Sequence, residues 1–384
     1  MILNKMKRTA LLFVCLAFVT AVTAQEQIES PVVSEKDSTY YAHQQELWQQ
    51  VTNREPKNEN AWRNLYQAAN YRQWFGKLDD SEMKGILDAM GKAIPDSYNY
   101  CWCMYKYKLG SDDAFAYAEK ALQQLPEDMS LYDYDLWTAY LMMRFDEPRL
   151  NDLCKRYYQS GLYSPNILQY NYNEMQGMDK DGIYIGNGDA CLIPKLILQY
   201  GKGIHRDKLI VCMSFIAIPD YREKLLTRLG IDTRTYQYAN PTTEEEFNLL
   251  EREVIDLILT HTKRPVYFSS FNGKEHNAPW EDHLYNEGLT LHYSTKKYDN
   301  IAVKLRNVEE RYLLEYLLEQ FTPDLWTTSN RMSANYVVML SDLLPYYKKQ
   351  NTTRYKWLMN ILVNAIERAD IPEEKKKDFR KLLR

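Results

Sequence analysis

Glycine and proline are scarce, 14 of each in 384 residues, which excludes collagen-like and other low-complexity chains. Beyond residue 24 no stretch reaches the roughly 18 consecutive apolar residues of a spanning helix, which argues against a polytopic membrane protein. There is no basic excess, since 48 Lys and Arg face 52 Asp and Glu. A general nucleic-acid binder needs a basic face, so that class is set aside. Phenylalanine is rare beside tyrosine, 11 against 32. Amphipathic helices carry such a load, because the ring is buried while its hydroxyl stays wet. What remains is a chain 45% hydrophobic and 26% charged, with the profile of a folded protein of two or three domains.

Residues 1–24 read as a secretory leader. Lys5, Lys7 and Arg8 precede the apolar run Leu11 to Val22, and small residues lead to cleavage after Ala24. Cys15 lacks the small neighbours of a lipoprotein site, so no lipid anchor is expected. Cleavage removes three cations and no acid, taking the net charge from −4 to −7. The expected location is the periplasm, with secretion or peripheral attachment to the envelope as variants. The carboxy-terminal Lys375, Lys376 and Lys377 are interrupted by Glu373, Glu374 and Asp378 and read as a solvated helix face.

Cysteines 101, 103, 154, 191 and 212 remain, an odd number that leaves at least one free thiol or an intermolecular bridge. No second Cys-x2-Cys pair accompanies them to hold zinc, and small buried hydrophobes is the plain reading.

Residues 25–42 are polar and read as a flexible lead-in. From 43 to about 180 the pattern is helical. Ala114, Ala118, Ala121 and Pro126 stand at offsets 0, 4, 7 and 12, the small residues and closing proline of a tetratricopeptide-like second helix. Trp62, Leu65 and Ala69 follow Pro56 at first-helix spacing, Pro95 closes one unit, and a third, degenerate pair ends before Pro165. A helical solenoid is therefore expected here. From 181 to 306 strands alternate with helices, which predicts a small parallel-sheet, three-layer α/β domain. The strands are 181–186, 208–218 and 264–269, with short edge strands at 288–294 and 301–305. From 307 to 384 the chain reads as helical again. The fold class is thus α/β, mainly helical overall.

Gly186-Asn187-Gly188-Asp189 ends the first strand and opens a helix. Ligands of open parallel sheets bind beyond such carboxyl ends. Cys191 stands where a dinucleotide fingerprint needs its third Gly or Ala, and Asp189 sets an acid where a pyrophosphate lies. A tight turn with Asp189 capping the helix is the alternative. Asn187, Gly188, Asp189, Asp220, Ser269, Ser270 and Asn272 form the candidate ligand crevice. Cys191, in the first helical turn, could have a lowered thiol pKa, with His205 or His261 as its only partners. His276, His283 and His292 lie at intervals that fit no metal site, so neither metal nor cofactor is expected. Trp62, Tyr66, Trp102 and Tyr105 are candidate partner-binding residues, since aromatic side chains favour contact surfaces.

Asn187-Gly188-Asp189, the segment Gln199 to Asp207, the strand 208–218, Arg264 to Phe268, Gly288-Leu289 and the tail around Arg331, Asn335 and Tyr336 recur in that order. Over about 180–384 the chain thereby resembles the soluble carboxy-terminal half of a family of large bacterial membrane proteins. Their polytopic part is related to protein O-mannosyltransferases. That family continues with a polar Asn-Asp-Thr stretch where this chain has Ala190-Cys191-Leu192, and its membrane part, with the acids expected to transfer the sugar, has no counterpart here. The resemblance implies an exported accessory module. The expected function is a non-catalytic adaptor binding protein or peptide partners in an envelope process such as glycosylation or secretion. The alternative is a carbohydrate- or small-polar-ligand-binding module at Asn187–Asp189, and an independent enzyme comes third.

Overall fold

The computed structural model describes residues 25–109, 111–235, 240–319, 324 and 326–384. The leader, its cleavage point and Cys15 lie outside the described residues. One compact unit ends at Asp128 and a second spans Met129–Arg384. The three helices before residue 180 therefore group with the sheet, not with the helices that precede them.

In the first unit α1 (Ser38–Arg54), α2 (Glu59–Trp74), α3 (Asp80–Ala93), α4 (Tyr98–Tyr107) and α5 (Asp112–Leu122) follow one another. Each of the first four starts where a short polar side chain accepts an otherwise orphaned amide: Asp37 from Tyr40, Asn58 from Ala61, Asp79 from Glu82, Ser97 from Tyr100. Pro56, Pro95 and Pro126 fall in the connections, where a missing N–H costs nothing. Ala114, Ala118 and Ala121 are buried, and α5 packs on α4. At Gly91 an added Cβ would meet the Tyr100 hydroxyl at 2.8 Å and its ring at 3.0–3.1 Å, so a glycine permits that approach.

Two expectations are corrected here. The segment before α1 is docked: Ile28 is buried and its amide donates to Asn64 Oδ1, while Trp48 Nε1 donates to the Glu26 carbonyl. Trp62, Tyr66, Trp102 and Tyr105 are interior, not surface. Tyr66 meets Trp102 edge-on, and the Arg63 guanidinium lies 4.1 Å from the Trp102 ring. Their spacing is that of a core stripe, and a core stripe is what they form.

In the second unit α6 (Leu131–Arg144), α7 (Glu147–Ser160) and α8 (Pro165–Gly177) lead into β1 (Ile183–Gly186). Then come α9 (Asp189–Leu196), β2 (Leu209–Cys212), α10 (Pro219–Arg228), α11 (Glu244–His261) and β3 (Val266–Ser269). The short α12 (Lys274–Asn277) precedes a hairpin of β4 (Leu284–Asn286) and β5 (Thr290–Tyr293). The sheet order is β2-β1-β3-β5-β4. β1 pairs in parallel with β2 and β3, whereas β5 is antiparallel to both β3 and β4. The sheet is thus mixed, with a parallel centre. Every residue of β1, β2 and β3 is buried, which explains their continuous apolar runs.

The strand expected over 208–218 stops at Cys212, because the chain turns through a 3-10 segment at Ser214–Ala217. Residues 301–305, expected as a strand, belong to the helix α13 (Asn300–Arg306). Asp299 accepts the Ala302 amide and starts a helix despite the alternating Ile-Ala-Val-Lys-Leu pattern. The carboxy-terminal helices dock through buried asparagines. Asn173 on α8 exchanges hydrogen bonds with both backbone groups of Leu313 and donates to the Tyr336 hydroxyl. Asn307 donates to the carbonyls of Gly177 and Glu287. Among the described residues no helix is long and apolar enough to cross a membrane.

Candidate functional site

β1 lies between β2 and β3, so the chain leaves it towards one side and later returns on the other. This places a topological switch point beyond the carboxyl ends of β1 and β3, where open α/β sheets bind ligands. Asn187, Gly188 and Asp189 stand at that edge, directly after β1. Gly188 has φ +87° and ψ 144°, a region that residues with a Cβ rarely enter, and it holds the N-cap position of α9. Asp189 is therefore the first helical residue and an exposed carboxylate, not the cap. Asn187 Oδ1 accepts from Ser214 Oγ at 2.9 Å and ties the ends of β1 and β2 together.

The remaining candidates divide. Ser269 is fully buried and its hydroxyl accepts the Phe271 amide, so it is interior. Ser270 Oγ accepts from Asn335, which also donates to the Tyr170 hydroxyl. Asn272 Nδ2 donates to the Ile185 carbonyl and to Asn277 Oδ1, and Asn277 Nδ2 donates to the Ser269 carbonyl. This asparagine pair clamps β1 to β3. Asp220 is committed to Arg144 at 2.6 Å and Lys224 at 3.1 Å, against α6. It serves helix packing there, which its place at a helix start concealed in the sequence.

An acid that the sequence reading missed lies within reach of the Asp189 charge. Asp135, on α6, is partly open to solvent and accepts from the Tyr157 hydroxyl at 2.7 Å. Burial pushes its carboxyl up to about 8, the Tyr157 bond opposes this, and the charge of Asp189 adds to it. Tyr163 feels the charges of both acids. Its ring lies 5.0 Å from that of Trp326 and 5.6 Å from that of Tyr157. This region therefore holds a carboxyl whose protonated form burial favours, an exposed acid and the part-exposed Trp326. The signal available was one acid at a position flanked by Tyr134 and Trp137, both buried.

Beneath the turn after β1 a buried ionic network fixes α9 to α8. Lys195 Nζ donates to Glu174 Oε2 and Asn171 Oδ1, both at 2.5 Å, and to the Cys191 carbonyl at 2.8 Å. It also lies 4.0 Å from the centre of the Tyr184 ring. Burial raises the Glu174 carboxyl while Lys195 opposes the shift.

Burial pushes the Cys191 thiol up to about 12, the opposite of the lowering that a helix start suggests, so it supplies no thiolate. All five cysteines of the described chain are buried free thiols. His205 packs against Tyr172 with its ring pushed down to about 4 by burial, and His261 Nδ1 contacts the Leu257 carbonyl of its own helix. The other histidines have separate surroundings: His276 near Glu251, His283 against Tyr293, His292 beside Glu287 and Tyr298. Among the described residues no group of three or more His, Cys, Asp or Glu side chains could hold a metal ion. No family model matches the chain, and no curated protein or solved structure matches it.

Proposed function

We propose that the chain is a non-catalytic binding module whose crevice at the switch point takes a small hydroxyl-rich molecule such as a saccharide. The pairing of Asp135 with Asp189 supports this most directly. A protonated carboxyl donates a hydrogen bond and an ionised one accepts, which suits adjacent sugar hydroxyls. Trp326, part-exposed and backed by the buried Tyr163 ring at 5.0 Å, supplies apolar ring surface for the C–H faces of such a ligand. Asn187 and Gly188 shape the turn after β1, and the Lys195–Glu174 network holds it still. The leader reading and the resemblance to an exported accessory module support a role for this binding in the cell envelope, in protein glycosylation or secretion. A thermal-shift screen of mono- and disaccharides tests the reading. A stabilising sugar should lose its effect in Asp189→Ala and in Asp135→Asn while both variants keep the wild-type circular dichroism. Stabilisation that survives both substitutions overturns it.

An adaptor role for the first unit rests on a different surface from the one expected. Trp74 and Phe75, at the end of α2, are 74% and 45% exposed. They are the aromatic contacts that a protein or peptide partner of the envelope would find. In-cell crosslinking of wild type and Trp74→Ser tests it: a partner lost with Trp74 supports the adaptor, and equal recovery contradicts it.

A further inference from the structure

The segment ahead of α1 lies against the first two helices of its unit as an extended strip. The Glu26 amide donates to Gln44 Oε1 and the Ile28 amide to Asn64 Oδ1, both at 2.8 Å, while the Glu26 carbonyl accepts from Trp48 Nε1 at 2.9 Å. In an extended chain the N–H and C=O of one residue and the N–H of the residue two further on point to the same side. Ile28 and Ser30 are buried whereas Gln27 and Glu29 are exposed, the alternation of such a chain. A carboxyl oxygen of Glu26 accepts from the Tyr40 hydroxyl at 3.1 Å.

The helices meet this strip through side chains, those of Gln44 and Trp48 on α1 and Asn64 on α2, and all three are buried. Asn64 carries most of the meaning. Its Nδ2 donates to both oxygens of Asn60, the carbonyl and Oδ1, which fixes its own Oδ1 as an acceptor. No solvent reaches Asn64, and the donor that satisfies Oδ1 is a main-chain amide from outside the two helices. A buried acceptor without a donor is costly, so this surface is suited to the main chain of an extended peptide. One branched side chain and three such bonds, set against the ordering of residues 26–30, make a weak hold.

We propose that this surface of α1 and α2 is a peptide clamp which residues 26–30 close in cis, and that an extended peptide of a partner protein takes their place. The partner segment carries an acidic residue two places before a branched apolar one. The acid meets Tyr40, the apolar residue fills the position of Ile28, and Gln44, Trp48 and Asn64 hold the main chain. The clamp uses neither Trp74 nor any residue of the Asp135–Asp189 crevice, so its failure leaves both readings to their own tests.

Fluorescence anisotropy of a labelled peptide of residues 25–32, titrated with the full chain, tests the proposal. In wild type the chain's own segment competes at high local concentration, and Ile28→Asp in the chain unseats it. The Ile28→Asp chain should therefore bind the peptide saturably and at least tenfold more tightly than wild type. A peptide carrying Ile28→Asp should not bind, and Trp48→Phe added to the Ile28→Asp chain should weaken the peptide several-fold. Equal affinity of the two chains, no saturable binding by the Ile28→Asp chain, binding of the altered peptide or unchanged affinity with Trp48→Phe overturns the proposal. So does an Ile28→Asp chain that loses its helical circular dichroism, because the segment is then core. Hydrogen exchange on wild type checks the same point without a variant: the Ile28 amide should exchange well before the amides of α1 and α2, and equal protection overturns the clamp.

Discussion

Lys195 Nζ lies 2.5 Å from Glu174 Oε2 with neither side chain reached by solvent, directly beneath the turn that carries Asn187, Gly188 and Asp189. An ion pair in this setting contributes little net stability when whole, but losing one partner strands a buried charge. Lys195→Met is expected to cost about 3–5 kcal/mol in urea unfolding, whereas Lys195→Met combined with Glu174→Leu should recover most of it. A single substitution costing under 1 kcal/mol contradicts the role assigned to the pair.

The Asp135 carboxyl sets a pH dependence of definite sign. Its folded pKa of about 8 lies above the ordinary carboxylate value of 3.8. Between these values the folded state keeps a proton that the unfolded state has released, so stability falls as pH rises through that window and levels off above it. Asp135→Asn removes this contribution. The urea midpoint of wild type should drop more than that of Asp135→Asn between pH 5 and pH 8, and equal drops contradict the assignment.

Asn173 joins α8 to the chain that follows α13. In Asn173→Ala the Leu313 amide and the Tyr336 hydroxyl lose a partner, at about 1–3 kcal/mol. Hydrogen exchange should rise around Leu313 before it rises in β1, and uniform exchange would show that the asparagine is no staple.

The thiols offer a simpler check. Burial raises Cys154 and Cys191 to about 12 and Cys212 to about 11. With Cys101 and Cys103 also buried, none of these five described thiols should react in native protein at neutral pH until denaturant is added. Rapid modification of one in native buffer contradicts this.

How far the sequence spoke depended on whether a pattern had one physical meaning. The strands at 183–186 and 266–269 lie inside the expected 181–186 and 264–269, where β-branched and aromatic residues stand between polar turns. Thr243 and Glu246 form a capping box that starts the helix at 244–261, a signal the sequence carries. Residues 301–305 misled because alternation over five residues fits either period, and the Asp299 cap decided it. β4 was hidden among histidines and acids because an edge strand needs no apolar face of its own.

The site was legible as a place more than as a set of residues. Asn187, Gly188 and Asp189 stand where strand-turn-helix logic puts them, since a switch point follows from strand order. Asp220, Ser269 and Asn272 carry suitable groups, but tertiary neighbours use them for structure. Asp135 is about 50 residues upstream on another helix, and no local pattern links it to Asp189. Trp62, Tyr66, Trp102 and Tyr105 failed as surface residues for a related reason: a stripe of aromatic residues at helical spacing marks a core more often than a contact surface.

The central claim is that the Asp135–Asp189 crevice binds a hydroxyl-rich ligand, and calorimetric titration tests it most directly. The sugar that most stabilises the full chain should be titrated into wild type, Asp189→Ala and Asp135→Asn. Saturable binding by wild type, weakened at least tenfold in both folded variants, is the result this account predicts. Binding that is unchanged in the variants, or absent from wild type across the panel, contradicts it.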